Sequence, residues 1–293
     1  MKTLVIVGCT TAANFQIELG SSFSIYQGFF DSIVFILAIV TAVCFQVLSN
    51  FANDYGDGIK GTDNDERLGP KRIFQSGLIS RAQLRQAIFV ISAVAVLLTI
   101  LLVYSAFGLS NTALTFLGLG FLAIVAAIRY TVGSSAYGYM GFGDLFVFLF
   151  FGCVSVLGSH YLYTYEFDLS LIFPAISIGL FSVGVLNINN MRDRVNDKQY
   201  GKTTIAVRLG AEKAALYQLA LVGIPVILTV VYGLIYHAIS FVVMSLIIII
   251  PISLHLKVVF QKQNEKNFDL ELKKIALLTF FYAISFSLLL IFS

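Results

Sequence analysis

Two polar stretches interrupt an otherwise apolar chain, and each combines carboxylates, amides and cations. The first contains Gln46, Asn50, Asn53, Asp54 and Asp57, then Lys60, Asp63, Arg67 and Arg72. Asn50, Asp54 and Asp57 stand at i, i+4 and i+7, so a helix carries them on one face. The second contains Asn187, Asn189, Asn190, Asp193 and Asp197, then Lys198, Lys202 and Arg208. Asn189, Asp193 and Asp197 fall at i, i+4 and i+8, again on one face. Asn190 lies three residues before Asp193, and spacing alone does not separate its role from that of Asn189. Two facing carboxylate clusters repel unless cations lie between them. Magnesium is usually held by one or two carboxylates together with substrate phosphates and water, and Lys and Arg neutralise the remaining phosphate charge. The pattern therefore predicts a site for a diphosphate whose tail enters the bilayer. Asp63, Asp65, Glu66 and Glu212 read as helix caps or solvated charges.

Long apolar helices must position these clusters. The 293-residue chain is 58% hydrophobic and 12% charged, with a mean hydropathy of +0.88. Soluble domains carry about 25% charged residues, so most of this surface does not face water. Spans of about 20 apolar residues are predicted at 3–25, 31–53, 84–106, 111–130, 144–164, 169–191, 213–235, 238–256 and 273–292. With nine spans, all 19 Lys and Arg residues fall on one side. The opposite connections hold Glu18, Asp31, Glu166, Asp168 and His237. The positive-inside rule then puts the N-terminus and both aspartate clusters in the cytoplasm and the C-terminus outside. Pro174, Pro225 and Pro251 lie within predicted spans, where kinks are tolerated. Cys9, Cys44 and Cys153 sit in apolar runs and read as packing residues; His160, His237 and His255 read as structural. The expected fold is all-α and integral to the membrane, with nine transmembrane helices around a central chamber. It forms one domain over residues 1–293 that contacts lipid and has no nucleic-acid partner.

At these residues the chain resembles the UbiA-type intramembrane prenyltransferases. The matching segments are LSNFANDYGDGIKGTD (48–63), RLGPKR (67–72), RYTVG (129–133), YGYMGFGDLFVFLFFG (137–152) and NINNMRDRVNDKQYGKTTIAVRLG (187–210). The match runs over nearly the whole chain and is most similar to the naphthoate-prenylating branch. Many superfamily members carry a third aspartate where this chain has Gly61, with Asp63 following it. Relatives of the branch also carry a longer arm, with an Arg-Pro, ahead of the segment seen here as Lys2-Thr3-Leu4. That difference points to a shortened start or a dispensable arm.

The resemblance implies an enzyme of menaquinone synthesis in the cytoplasmic membrane. Its donor would be a polyprenyl diphosphate and its acceptor 1,4-dihydroxy-2-naphthoate, with loss of diphosphate and carbon dioxide. It implies Mg2+ held by Asp54, Asp57, Asp193 and Asp197, with Asn50 and Asn190 assisting. Lys60, Arg72 and Lys202 would contact the diphosphate ahead of Arg67 and Lys198. The 27 Phe and 14 Tyr residues could shield an allylic cation from water, although most of them read as packing. Tyr130, Tyr139 and Asp144 could position the acceptor or take its proton; Asp144 reads equally as the N-cap of the fifth helix. Arg129 reads equally as a partner for the acceptor carboxylate or as a snorkelling side chain. Two other readings remain: a different acceptor such as 4-hydroxybenzoate, and a secondary transporter with the aspartates on an ion path.

Overall fold

A computed structural model describes residues 31–261 and 268–292. The span expected at 3–25 lies outside them. Each of the other eight expected spans is a helix long and apolar enough to cross a membrane. These are α1 (Ser32–Lys60), α2 (Arg81–Phe107), α3 (Asn111–Arg129), α4 (Gly143–Thr164), α5 (Ile172–Arg192), α6 (Ile205–Ile235), α7 (Ile239–Phe260) and α8 (Phe268–Phe292). In a bilayer the backbone must satisfy its own hydrogen bonds, and helices do so within one segment. Lipid replaces water at the surface, so Phe89, Leu97, Leu122 and Ile247 are exposed. The chain is an all-helical integral membrane protein.

Side chains close the helix starts. Asp31 accepts from the Ile33 and Val34 amides at 2.8 and 3.0 Å. Ser80 and Gln83 form a reciprocal capping box on α2. Ser110 and Thr204 cap α3 and α6. Pro174 falls in the first turn of α5, where its missing N–H costs nothing. Helix α6 begins before the expected 213, and Gly210, at φ 76°, breaks its path. Helix α8 begins at Phe268, five residues before the expected start, with Asp269 and Glu271 in its first turn, where acidic groups suit the helix dipole.

Apolar packing falls into two parts. One holds two clusters that join α1, α2 and α3, one of them reaching the end of α4; the other is a single cluster joining α4 to α8. Helix α5 is central: 61% of its apolar window is buried, against 17% for α2 and α3. Glycines permit the closest crossings. A Cβ on Gly152 of α4 would stand 2.5 Å from the Ala175 carbonyl oxygen of α5. Around this crossing, residues Phe148–Val154 of α4 are π-helical. A buried polar chain crosses the second part: Asn187 donates to Gln218 at 2.9 Å, Gln218 meets His255 at 3.1 Å, and His255 meets Glu271 at 2.7 Å. This accounts for His255 structurally. Cys44 is buried, with its thiol 3.6 Å from the Ile91 carbonyl.

Candidate active site

Helix α1 runs through the first aspartate cluster, so Asp54 and Asp57 are helical and both are buried. It ends at Gly61, whose φ of 76° suits glycine and whose N–H bonds the Asp57 carbonyl. The chain then turns back. Asp63, which reads in the sequence as a solvated charge, is buried, with its carboxylate 3.3 Å from both Arg67 Nε and Arg72 Nε. Arg72 Nη1 also reaches Asp54 at 2.7 Å. Arg67 continues across to Asp193 at 3.3 Å. Asp63 therefore shapes the cluster by holding both arginines. Its i, i+4 spacing from Arg67 was the available sequence signal.

The second cluster spans a kink. Helix α5 stops at Arg192, Asp193 takes φ −90° and ψ 4°, and a short helix follows over Arg194–Gln199. The i+4 backbone bonds persist, from the Asp193 amide to Asn189 and from the Asp197 amide to Asp193. Arg192 is buried and grips both Asp193 oxygens, at 2.9 and 2.7 Å, while donating to Asn189 at 2.8 Å and Asp269 at 2.6 Å. The structure thus distinguishes the two asparagines: Asn189 accepts from Arg192, whereas Asn190 is buried. Asn50, one turn before Asp54, is half-buried and accepts from Gln46 at 3.4 Å.

The two clusters meet. Lys202 Nζ lies 3.3 Å from Asp57. Tyr139 donates to Asp57 at 2.8 Å, and its hydroxyl also bonds Thr62. Lys60 Nζ lies 3.7 Å from the centre of the Tyr139 ring. The Tyr139 carbonyl accepts from the Thr203 amide and hydroxyl at 3.0 and 2.7 Å. Asn196 donates to the Thr62 carbonyl at 2.8 Å. Tyr139 is therefore tied to both aspartate segments.

Tyr130 follows α3 directly, within electrostatic reach of Lys202, Asp57, Asp144 and Asp197. Its ring packs on Gly138 and Gly143, where a Cβ would approach to 3.1 and 3.0 Å. Asp144 is not the N-cap of α4; Phe142 holds that place, without a side-chain cap bond. The buried Asp144 carboxylate instead accepts from Tyr217 at 3.1 Å. Arg129 is exposed at the end of α3, and no described hydrogen bond or ion pair joins it to the carboxylates. Lys198 is also exposed, so Arg67, not Lys198, belongs with Arg72 and Lys202. A cavity of about 450 Å³ between α7 and α8, lined in part by Leu254, His255, Lys274 and Tyr282, shares no lining residue with the cluster.

Charge balance governs the cluster. Burial pushes the Asp193 carboxyl up, but the Arg192 bonds and Arg67 charge outweigh it and hold it below the usual range. Burial pushes Lys202 down, but Asp57 and Asp197 hold its ammonium above its ordinary value. Burial pushes Asp197 up to about 7; Lys202 opposes the shift, and Asp193 and Asp57 add to it. Among the described residues, no three acidic, His or Cys side chains converge enough to hold a metal ion alone. The donor set still fits magnesium, which commonly takes only one or two carboxylates and fills its remaining positions with phosphate oxygens and water. Asp197 is buried within electrostatic reach of Asp193 and Asp57 as well as Lys202, and a divalent cation would relieve the repulsion among these carboxylates.

Residues 19–287 match the UbiA prenyltransferase family. The 1,4-dihydroxy-2-naphthoate octaprenyltransferase of Haemophilus influenzae is 47% identical over 198 residues, covering 68% of this chain and 64% of that protein. This chain thus aligns to slightly under two thirds of that relative's length. An apo UbiA homologue from Aeropyrum pernix K1 superposes with a TM-score of 0.67 at 18% identity, over 93% of this chain and 96% of that one. A UbiA homologue from Archaeoglobus fulgidus bound to DMAPP and Mg2+ gives a TM-score of 0.60 at 15% identity, over 98% of each chain.

Proposed function

Because the chain belongs to the UbiA prenyltransferase family, we propose that it transfers a polyprenyl chain from a polyprenyl diphosphate to 1,4-dihydroxy-2-naphthoate, with loss of diphosphate and carbon dioxide. The product is a demethylmenaquinol, and the protein works in the cytoplasmic membrane with its aspartate clusters on the cytoplasmic side. The carrying observation is the joining of two aspartate segments by Lys202–Asp57 and Arg67–Asp193 at one end of an apolar bundle. The acceptor assignment draws its support from the Haemophilus relative.

Asp54, Asp57, Asp193 and Asp197 would hold Mg2+, as the Archaeoglobus homologue bound to Mg2+ suggests. Bound magnesium neutralises charge on the departing diphosphate. Arg67, Arg72 and Lys202 pair with the carboxylates; when the donor arrives they turn part of their hydrogen-bonding capacity to its phosphate oxygens. Lys60 assists beside Tyr139, and Asn50 and Asn190 add neutral polar contacts. The allylic carbon–oxygen bond breaks, and its electron pair leaves with the diphosphate. The naphthoate ring carbon bearing the carboxylate bonds to the allylic carbon, and carbon dioxide leaves from that position. Tyr130, Tyr139 and Asp144 line the acceptor side. Arg129 would reach the acceptor carboxylate only by turning inward.

A competition assay tests the acceptor. Purified protein with one prenyl diphosphate and Mg2+ is offered dihydroxynaphthoate or 4-hydroxybenzoate. Prenylated naphthoquinol is the expected product. Prenylation of hydroxybenzoate alone contradicts the acceptor, and substrate-driven ion flux in liposomes without prenyl transfer contradicts the enzymatic reading.

A further inference from the structure

We propose that Tyr217 is a positioning residue for Asp144, and that the carboxylate so oriented receives a phenolic proton from the aromatic acceptor. This inference rests on the proposed prenyl transfer. Asp54, Asp57, Asp63 and Asp193 each pair with Arg or Lys, as suits a site that binds phosphate. Asp144 differs. It occupies the second residue of α4, is 8% exposed, and forms no ion pair with any described Lys or Arg. Its partner is the Tyr217 hydroxyl, which reaches it from α6 at 3.1 Å. A carboxylate buried at the start of a membrane-spanning helix is expensive, and such groups usually serve function.

The location fits the acceptor. Tyr130 stands between the two chemistries. Its ring and hydroxyl pack against Gly143, next to Asp144, and the same hydroxyl lies within electrostatic reach of Asp144, Asp57, Asp197 and Lys202. The cationic end attracts a diphosphate; an unpaired carboxylate would repel it. Asp144 therefore suits the neutral, phenolic part of the acceptor. Tyr217 fixes which way the carboxylate points, as a base in a triad is fixed by its third member.

The step balances. The acceptor's O–H proton passes to the Asp144 carboxylate, and its electron pair enters the ring. The ring carbon bearing the carboxylate forms its bond to the allylic carbon as the donor's carbon–oxygen pair departs with diphosphate. Loss of carbon dioxide returns a pair to the ring, and Asp144 returns the proton to the phenolate oxygen.

A double-mutant cycle tests this in detergent, with dihydroxynaphthoate, a prenyl diphosphate and Mg2+. Asp144→Asn is expected to lower kcat about 100-fold or more. Tyr217→Phe is expected to lower it about 10-fold, raising KM for the acceptor and not for the donor. The double variant is expected to be no slower than Asp144→Asn alone, because Tyr217 acts only through Asp144. Thermal stabilisation by magnesium diphosphate, read without turnover, is expected to match wild type in all three. Losses that multiply, a wild-type rate for Tyr217→Phe, or loss of that stabilisation in Tyr217→Phe would each overturn the inference while leaving the proposed function standing. A wild-type protein inactive on every aromatic acceptor would overturn both.

Discussion

Asp63 shows how a residue's weight depends on what turns back onto it. Two residues beyond the α1 cap, it sits between two arginines that also hold Asp54 and Asp193. Asp63→Asn keeps its shape and removes its charge, so Arg67 and Arg72 lose a common anchor. The expected result is a 10- to 100-fold fall in activity, typical of groups that orient a metal or phosphate site, with KM for the donor raised. An unchanged KM would show that Asp63 serves stability alone. The shared faces of Asp54 with Asp57 and of Asp193 with Asp197 were legible in the sequence because helical spacing places carboxylates side by side, whereas Lys202 was legible as a cation after the second cluster and, as a diphosphate contact, through the family resemblance. The roles of Asp63, Arg192 and Tyr217 were not legible, because they depend on a turn, a kink and a neighbouring helix; Arg67 was legible as a cation beside the first cluster, but not as the partner of Asp63 and Asp193. Asp144 was legible as polar and near a helix start, yet its partner lies 73 residues away.

Among the elements, glycine and helix ends set the geometry. The positive φ at Gly61 ends α1 so that the chain can return Asp63 to the carboxylates. Helix spans were readable from length and apolarity, whereas close crossings were not, since an apolar run does not say which face meets which helix. Gly152 carries the tightest crossing between α4 and α5: a Cβ there would stand 2.5 Å from the Ala175 carbonyl oxygen and 2.7 Å from the Gly179 Cα. Backbone cannot move aside as a side chain can. Gly152→Leu is expected to separate these helices and destabilise the protein by roughly 1–3 kcal/mol, seen as a lower thermal midpoint in detergent. A midpoint equal to wild type would mean that α4 can slide freely on α5.

At the scale of the molecule, the two packing groups each bring one aspartate cluster, and salt bridges between them close the site. The sidedness of Lys and Arg predicts its orientation. With a membrane-impermeant maleimide on intact cells, Phe167→Cys should label above the parent protein and Lys198→Cys should not; both positions are exposed, and the reverse pattern would invert the topology. The overall architecture was legible because hydropathy and charge are one-dimensional signals. The joining of the two halves was not, because it lies in pairs such as Arg67–Asp193. Whether that joined site performs the proposed chemistry is decided by magnesium-dependent prenyl transfer to dihydroxynaphthoate, measured for purified wild type, Asp54→Ala and Asp193→Ala. Wild type is expected to release diphosphate with prenylated product and to stop on chelation, and each variant is expected to fall by at least about 100-fold. Wild-type rates in both variants, or full activity without a divalent cation, would contradict the proposed function.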